Sequence, residues 1–318
     1  MRALVCRGFG NGENLTLAAR PKPEPGPGEV RVEVLACGAN ASDWEFVTGR
    51  PAYARVMRTL TRMGDVFGSD VVGVVDKLGA GVGDFKLGQR VLADTFGVFG
   101  GFADYAVAKA ELWVPVPDGV SDVLAAALPQ SGTIALAGIK GRVAEGAKVL
   151  INGGGGGSGP LAIQIAKMAG AQVWAVDTAA KVDVMREAGA DHLIDFETED
   201  FAKRGETFDL ILDLWGTRSV RSVRRALKPG GRYMMVGGPM GRLLAIAIWG
   251  GLSSVISTRK VGILAVPQGP GLLPDLLDMV RSEMLWPVVG EVTSLDCAAE
   301  ALAQMGARQI AGKLVIVP

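Results

Sequence analysis

Between Val149 and Lys167 the chain reads VLINGGGGGSGPLAIQIAK. An apolar run ends in five glycines, then Ser158, Gly159 and Pro160, then apolar residues at helical spacing. Glycine is costly to order, so such a run marks either a flexible linker or a turn whose backbone must come very close to something. Gly154, Gly156 and Gly159 fit G-x-G-x-x-G, with Gly157 and Ser158 between them. The apolar run before the turn and the helical pattern after it make this a strand–turn–helix unit, which excludes the linker. The chemistry of such a turn is anion binding: freed N–H groups and the helix dipole attract the pyrophosphate of a dinucleotide. Pro160 sits near the first helical position, where its missing N–H costs nothing.

QVWAVD reads as the next buried strand, and Asp177 ends it. An acid there accepts a hydrogen bond from an adenosine 2′-hydroxyl and repels a 2′-phosphate, which favours NAD(H). Thr178 and Lys181 follow and have the chemistry to hold a 2′-phosphate, so NADP(H) stays open beside NAD(H). The competing role of Asp177 is to cap the next helix.

These residues must be positioned by regular elements. After about Gly119 strands alternate with helices. KVLIN, QVWAVD, HLIDF, FDLILDLWG and RYMMVGG read as strands, and the glycine-turn helix, Lys181–Ala188 and SVRRALK as helices. That alternation predicts a doubly wound parallel sheet with helices on both faces. Before about Pro117 the pattern differs. VRVEVLACG, VVGVVDKLG and QRVLADTF are β-rich runs cut by turns, so this part reads as an irregular all-β region.

The 318 residues suffice for two domains, and Lys plus Arg balance Asp plus Glu at 33 each. No basic excess points to nucleic acid. Cys6, Cys37 and Cys297 lie far apart, without metal-like spacing or a disulfide framework, and a reducing cytoplasm is the expected setting. MRALVCRGFG lacks the apolar core of a signal peptide. Leu243–Ile256 is the most membrane-like stretch, but it is too short to span a bilayer and reads as a buried helix, a pocket wall or a subunit contact.

The stretches ACGANASDWEFVTGRP, GSDVVGVVDKLGAGVGDFKLGQRV, GGFADYAV, AAALPQSGTIAL, the glycine turn, GADHLIDF and ALKPGGRYMMVGG carry a resemblance that covers nearly the whole chain. It resembles the medium-chain dehydrogenase/reductase superfamily, in its zinc-independent, quinone-oxidoreductase-like branch. The resemblance implies an α/β protein: a GroES-like β-rich domain over residues 1–118, a Rossmann nucleotide-binding domain over 119–265, and a return segment over 266–318 that completes the first domain. It also implies a deep cleft between the domains, with the nicotinamide at its base.

Zinc-dependent members place metal ligands at positions that match Asn40, Ser69 and Gln130 or Ser131. None of these is a usual zinc ligand. The single histidine, His192, lies at a Rossmann strand start and reads as structural. No metal is therefore expected. Without a Lewis acid, alcohol oxidation is disfavoured, whereas hydride delivery to a quinone or an activated alkene is easier because the charge delocalises.

The resemblance implies several further site residues. Asn40 either hydrogen-bonds a substrate carbonyl or holds its loop to Asp43. Tyr53 is placed as a cleft tyrosine that donates to a developing enolate, with a structural tyrosine as the alternative. Asp43, Trp44, Phe46 and Gln130 fall in segments that line the cleft, although Trp44 and Phe46 also suit a core. Gly237 and Gly238 approach the nicotinamide through backbone. Lys313 is either a cofactor contact or a solvated lysine. The family often has a threonine at the position of Ile134; here Thr133 is shifted by one.

The expected function is an NAD(P)H-dependent reductase of quinones, enones or related acceptors. A dedicated enoyl reductase of a natural-product pathway and a non-catalytic nucleotide-binding interaction protein are the alternatives. The resemblance implies a homodimer, and Lys260–Val266 at the sheet edge is the strand to pair with its twin.

Overall fold

The computed structural model describes residues 1–318 apart from Arg62 and Ile256. The chain forms two compact units, one of residues Met1–Thr133 with Pro267–Pro318 and one of Ile134–Val266.

In chain order the first unit holds β1 (Arg2–Cys6), β2 (Leu15–Ala19), β3 (Glu29–Ala39), β4 (Asp70–Leu78), β5 (Arg90–Asp94), β6 (Tyr105–Lys109) and β7 (Trp113–Pro115). The second holds β8 (Lys148–Asn152), β9 (Gln172–Asp177), β10 (His192–Asp195), β11 (Phe208–Asp213), β12 (Leu227–Met235) and β13 (Lys260–Ile263). The chain then returns to the first unit as β14 (Val289–Ser294) and β15 (Lys313–Val317).

The first unit's main sheet runs β14-β15-β3-β4-β5-β7, with β6 also on β3. Strand β3 is buried over most of its length, with Glu33 exposed and Glu29 and Leu35 half-buried, so the alternation expected of a half-buried strand holds only around Val32–Ala36. Phe46, Phe67 and Phe99 are fully buried beside it, with ring centroids 5.3 to 6.0 Å apart. Each such buried ring contributes roughly 1.5–3 kcal/mol. The region is not all β. Two helices, Ala41–Thr48 and Ala52–Leu60, interrupt it between β3 and β4. The first starts where the Asp43 carboxylate accepts from the Asn40 N–H at 2.8 Å, a local cap that β periodicity does not register. Residues 119–133 also lie with this unit, because helix Asp122–Ala126 packs on β3 and β4.

The second unit's sheet is parallel throughout, in the order β10-β9-β8-β11-β12-β13. Strand order reverses between β8 and β11, and ligands in such sheets bind outside the carboxyl ends at that switch. β10 and β13 are its edge strands. His192 stacks on Trp174, with centroids 4.1 Å apart, a packing role.

The stretch from Leu243 is not a buried helix. It lies in helical pieces that run to Val255, and Leu244, Ile248, Trp249, Leu252 and Val255 are exposed. Its last residue, Ile256, lies outside the described residues. Among the described residues no helix is long and apolar enough to cross a membrane.

Candidate active site

The glycine turn follows β8, next to the switch in strand order. Gly153 takes φ +91°, a conformation that excludes most side chains. A Cβ on Gly159 would meet the carbonyl oxygens of Gly153 and Gly154 at 2.3 and 2.4 Å. On Gly155 it would meet the Lys181 side chain at 2.5 Å, and on Gly154 the Met185 sulfur at 2.9 Å. Gly156 differs: its nearest neighbour would stand 3.7 Å away. Packing therefore accounts for Gly154, Gly155 and Gly159 but not for Gly156. Gly157 and Ser158 complete the turn, with Ser158 directly before helix Gly159–Met168.

Asp177 closes β9 and is buried. Its carboxylate accepts from the Gly155 N–H at 3.0 Å and from the Thr178 N–H at 2.9 Å. Lys181, also buried, has its ammonium 3.9 Å from the same carboxylate. Asp177 thus ties the turn to the strand end, and it is linked to the following segment through the Thr178 N–H and the Lys181 ammonium. Lys181 is already neutralised, packed along Gly155.

Three polar side chains missed in the sequence sit at the neighbouring strand ends. Asn152 donates to Asp213 at 2.6 Å, and Tyr233 donates to the other carboxylate oxygen at 2.7 Å. Asn152 and Asp213 are register partners. Burial raises the Asp213 carboxyl above its ordinary range, while the two donors pull it back. Polar last residues on two apolar strands, KVLIN and FDLILD, were the available signal. Beside them, a Cβ on Gly238 would meet the Gly216 carbonyl oxygen at 2.5 Å, and one on Gly237 would meet that of Leu214 at 3.3 Å. The close approach these two glycines make is to the Leu214–Gly216 backbone.

In the first unit, the sheet registers bring the start of β15, the end of β3, the start of β4 and the end of β5 side by side. Lys313 heads β15 and is buried, not solvated. Its ammonium donates to Asn40 Oδ1 at 2.5 Å, Asp70 Oδ2 at 2.9 Å and Ser131 Oγ at 3.0 Å. Three ammonium protons meet three acceptors, so the donor capacity of Lys313 is filled within this unit. Gly38 makes room for it: a Cβ there would meet Lys313 Cε at 2.9 Å and the Ala126 carbonyl at 2.1 Å.

The expected link between Asn40 and Asp43 is present, made by the Asn40 backbone N–H to the Asp43 carboxylate at 2.8 Å. The Asn40 amide group is committed to Lys313 and, at 3.4 Å, to the Ser69 hydroxyl. The Asp43 carboxylate holds the loop, accepting from the N–H groups of Asn40 and Gly68 at 2.8 and 3.0 Å. Burial pushes the Asp43 carboxyl up to about 7 despite these bonds. Asp70 is raised by burial and pulled back by Lys313. Burial first, and Asp70 second, push Asp94 up to about 7. The Gln130 N–H lies 3.3 Å from both Asp70 oxygens, and Ser42 donates to Gln130 Oε1 at 3.1 Å.

Tyr53 donates to Glu45 across two helices. Burial lifts Glu45 to about 7, even though the phenol bond opposes the shift. Burial, then the Glu45 charge, raise Tyr53 above its ordinary value. Trp44 packs against helix Ala298–Gly306, where a Cβ on Gly306 would stand 2.1 Å from its ring, and Phe46 is core. Thr133 is buried in helix Pro129–Ile139.

This arrangement does not suit a zinc ion. The positions that match the family's metal ligands carry amide and hydroxyl groups. Asn40 and Ser131 are already bound to the Lys313 ammonium, which would repel a second cation. Among the described residues no three His, Cys, Asp or Glu side chains gather as a metal cluster.

Residues 26–118 match the model of the alcohol dehydrogenase GroES-like domain, and residues 188–316 that of the zinc-binding dehydrogenase family. The chain is 28% identical to a chloroplast envelope quinone oxidoreductase homolog of Arabidopsis thaliana, over 100% of this chain and 98% of that one. It superimposes on the quinone oxidoreductase of Coxiella burnetii with a TM-score of 0.87 at 25% identity, over 100% and 99% of the two chains. A mycobacterial protein solved in complex with NADPH gives 0.84 at 26% identity, over all of both chains. With both halves of the architecture and a full-length match in hand, the chain belongs to the medium-chain dehydrogenase/reductase superfamily, in its quinone-oxidoreductase-like branch.

Proposed function

We propose that the protein is a nicotinamide-dependent, zinc-independent reductase of quinones, conjugated enones or similarly activated carbonyl compounds. The observation that carries this reading is a complete dinucleotide turn in a chain whose metal-position side chains are spent on Lys313. When bound, reduced nicotinamide supplies a hydride to the acceptor.

The residues of the second unit hold the dinucleotide. Gly156 and its neighbours offer backbone N–H groups to the pyrophosphate, and Asp177 accepts from the adenosine ribose. Because Lys181 is already paired with Asp177, a 2′-phosphate gains no free cation there, which favours NADH over NADPH.

In the first unit, Lys313 and Asp70 hold Asn40, Ser131 and the start of helix Pro129–Ile139 in place. Ser42 fixes the Gln130 amide through its oxygen, which leaves the NH₂ to donate to the acceptor's carbonyl oxygen as charge develops there. The Tyr53 hydroxyl gives its proton to the enolate, and Glu45, whose carboxyl gains or loses a proton near neutral pH, returns one to the phenolate. The edge strand β13 pairs with its twin in a homodimer. The widely spaced cysteines suit a reducing compartment such as the cytoplasm.

The test is the fate of deuterium from 4-deuterated NADH with a conjugated enone. Deuterium at the β-carbon supports the reading. Deuterium at the carbonyl carbon, giving an allylic alcohol, overturns it.

A further inference from the structure

From Leu214 to Pro274 the chain carries nine Lys and Arg and no Asp or Glu, although the whole chain is balanced at 33 of each sign. In the middle lies a helical segment of three consecutive pieces: Met240–Ala245, the π-helical turn Ile246–Gly250, and Gly251–Val255. One side is anchored, with Ile246 buried among Val223, Leu227 and Val261. The other side meets water: Leu244, Ile248, Leu252 and Val255 are 54, 52, 57 and 84% exposed, and Trp249 is 63% exposed. The spacing of the four aliphatic residues is that of one helical stripe. A contiguous exposed stripe of this kind marks an interaction surface.

The basic side chains flank it. Arg221, Arg224 and Arg225 on helix Val220–Arg225 join Arg259 around a cavity of about 550 Å³. That helix packs against the Ile246–Gly250 turn. Arg218 and Lys228 of the same stretch are paired with Asp200 and Asp209. Arg221, Arg224, Arg225 and Arg242 have no ion pair among the described residues.

We propose that this face of the second unit docks on an anionic lipid bilayer. The stripe around Trp249 enters the headgroup boundary, and the unpaired arginines meet lipid phosphates. An aliphatic stripe with a tryptophan, flanked by cations and free of acids, is the pattern of a helix that lies in a membrane surface. A nucleic acid would satisfy the arginines and leave the stripe in water. A second copy seated symmetrically on the same face would set arginine against arginine.

The test is co-sedimentation of the full chain with vesicles of phosphatidylcholine alone, or with about a third phosphatidylglycerol. Binding to the anionic vesicles is expected at low salt, about 10-fold or more weaker on neutral vesicles, and lost near about 0.5 M salt. Trp249→Ser/Leu252→Ser and Arg224→Gln/Arg225→Gln, at exposed positions apart from the half-buried Arg224, should each weaken it about 10-fold with an unchanged far-UV spectrum. Absence of binding to anionic vesicles at low salt overturns the proposal. So does binding that neither double variant alters. A dimer that Trp249→Ser/Leu252→Ser splits into monomers would mean that a second copy covers the face, and overturns it too.

Discussion

The Lys313 ammonium stands 2.9 Å from the Asp70 carboxylate, and neither side chain is more than 2% exposed. The two residues are 243 positions apart. Removing the lysine leaves a buried carboxylate, a buried amide and a buried hydroxyl without their donor. Lys313→Met should destabilise the protein by about 3–5 kcal/mol. Lys313→Met/Asp70→Asn should recover a large part of that loss. Urea unfolding of the two variants checks this, and a single variant as stable as the parent would contradict it.

Gly156 and Gly159 separate folding from binding. A Cβ on Gly159 would run into two carbonyl oxygens, whereas one on Gly156 meets only ordinary contact at 3.7 Å. Gly159→Ala should lower the melting temperature. Gly156→Ala should leave the stability within about 0.5 kcal/mol of the parent yet weaken NADH binding about 10-fold or more, by standing where the pyrophosphate approaches. Thermal melts and NADH fluorescence titration give the two readouts.

Asp177 should govern cofactor choice. Asp177→Ser removes the charge that repels a 2′-phosphate and frees Lys181 to bind one. The ratio of kcat/KM for NADPH over NADH should rise about 10-fold or more, the size expected of one charge-assisted contact. An unchanged ratio would place the ribose elsewhere.

Stability should fall as pH rises from 5 to 7. The carboxyls of Asp43 and Asp94 are raised to about 7 in the folded chain, against about 3.9 when unfolded. In that window the folded state holds protons that the unfolded state has released, so the slope is negative, about 1.4 kcal/mol per pH unit for each such group. Asp76, Asp191, Asp200 and Asp209, with lowered values, act below this window. Asp94→Asn should flatten the slope. Urea unfolding at stepped pH measures it, and a rising slope would contradict the assignment.

The Tyr53–Glu45 pair should carry a pH limb of the reaction. Tyr53→Phe should lower kcat about 100-fold with little change in KM, as loss of a general acid does. Glu45→Gln should remove the limb near pH 7 that its raised carboxyl sets. A limb that survives Glu45→Gln would assign it to another group.

The second unit was largely legible because its signals are local. The glycine turn, the strand KVLIN before it and Asp177 after it lie within 30 residues, and each has one backbone reason to be where it is. Lys313 was not legible. In GKLVIV it reads as a polar strand start, and only the pairing of β15 with β3 brings it to Asn40 and Asp70. Tyr53 and Glu45 meet because two short helices turn toward each other in a region whose periodicity reads as strands. The segment after Leu243 misled for another reason: apolar composition signals burial on average, and here five of its large side chains face water.

The most direct measurement is the consumption of reduced nicotinamide, followed by absorbance, with protein passed over a chelator and offered a conjugated enone and a small quinone. Turnover is expected with at least one acceptor, faster with NADH than NADPH and indifferent to chelation. Protein that binds NADH yet reduces neither acceptor, or activity that disappears with the chelator and returns with zinc, would contradict the proposed function.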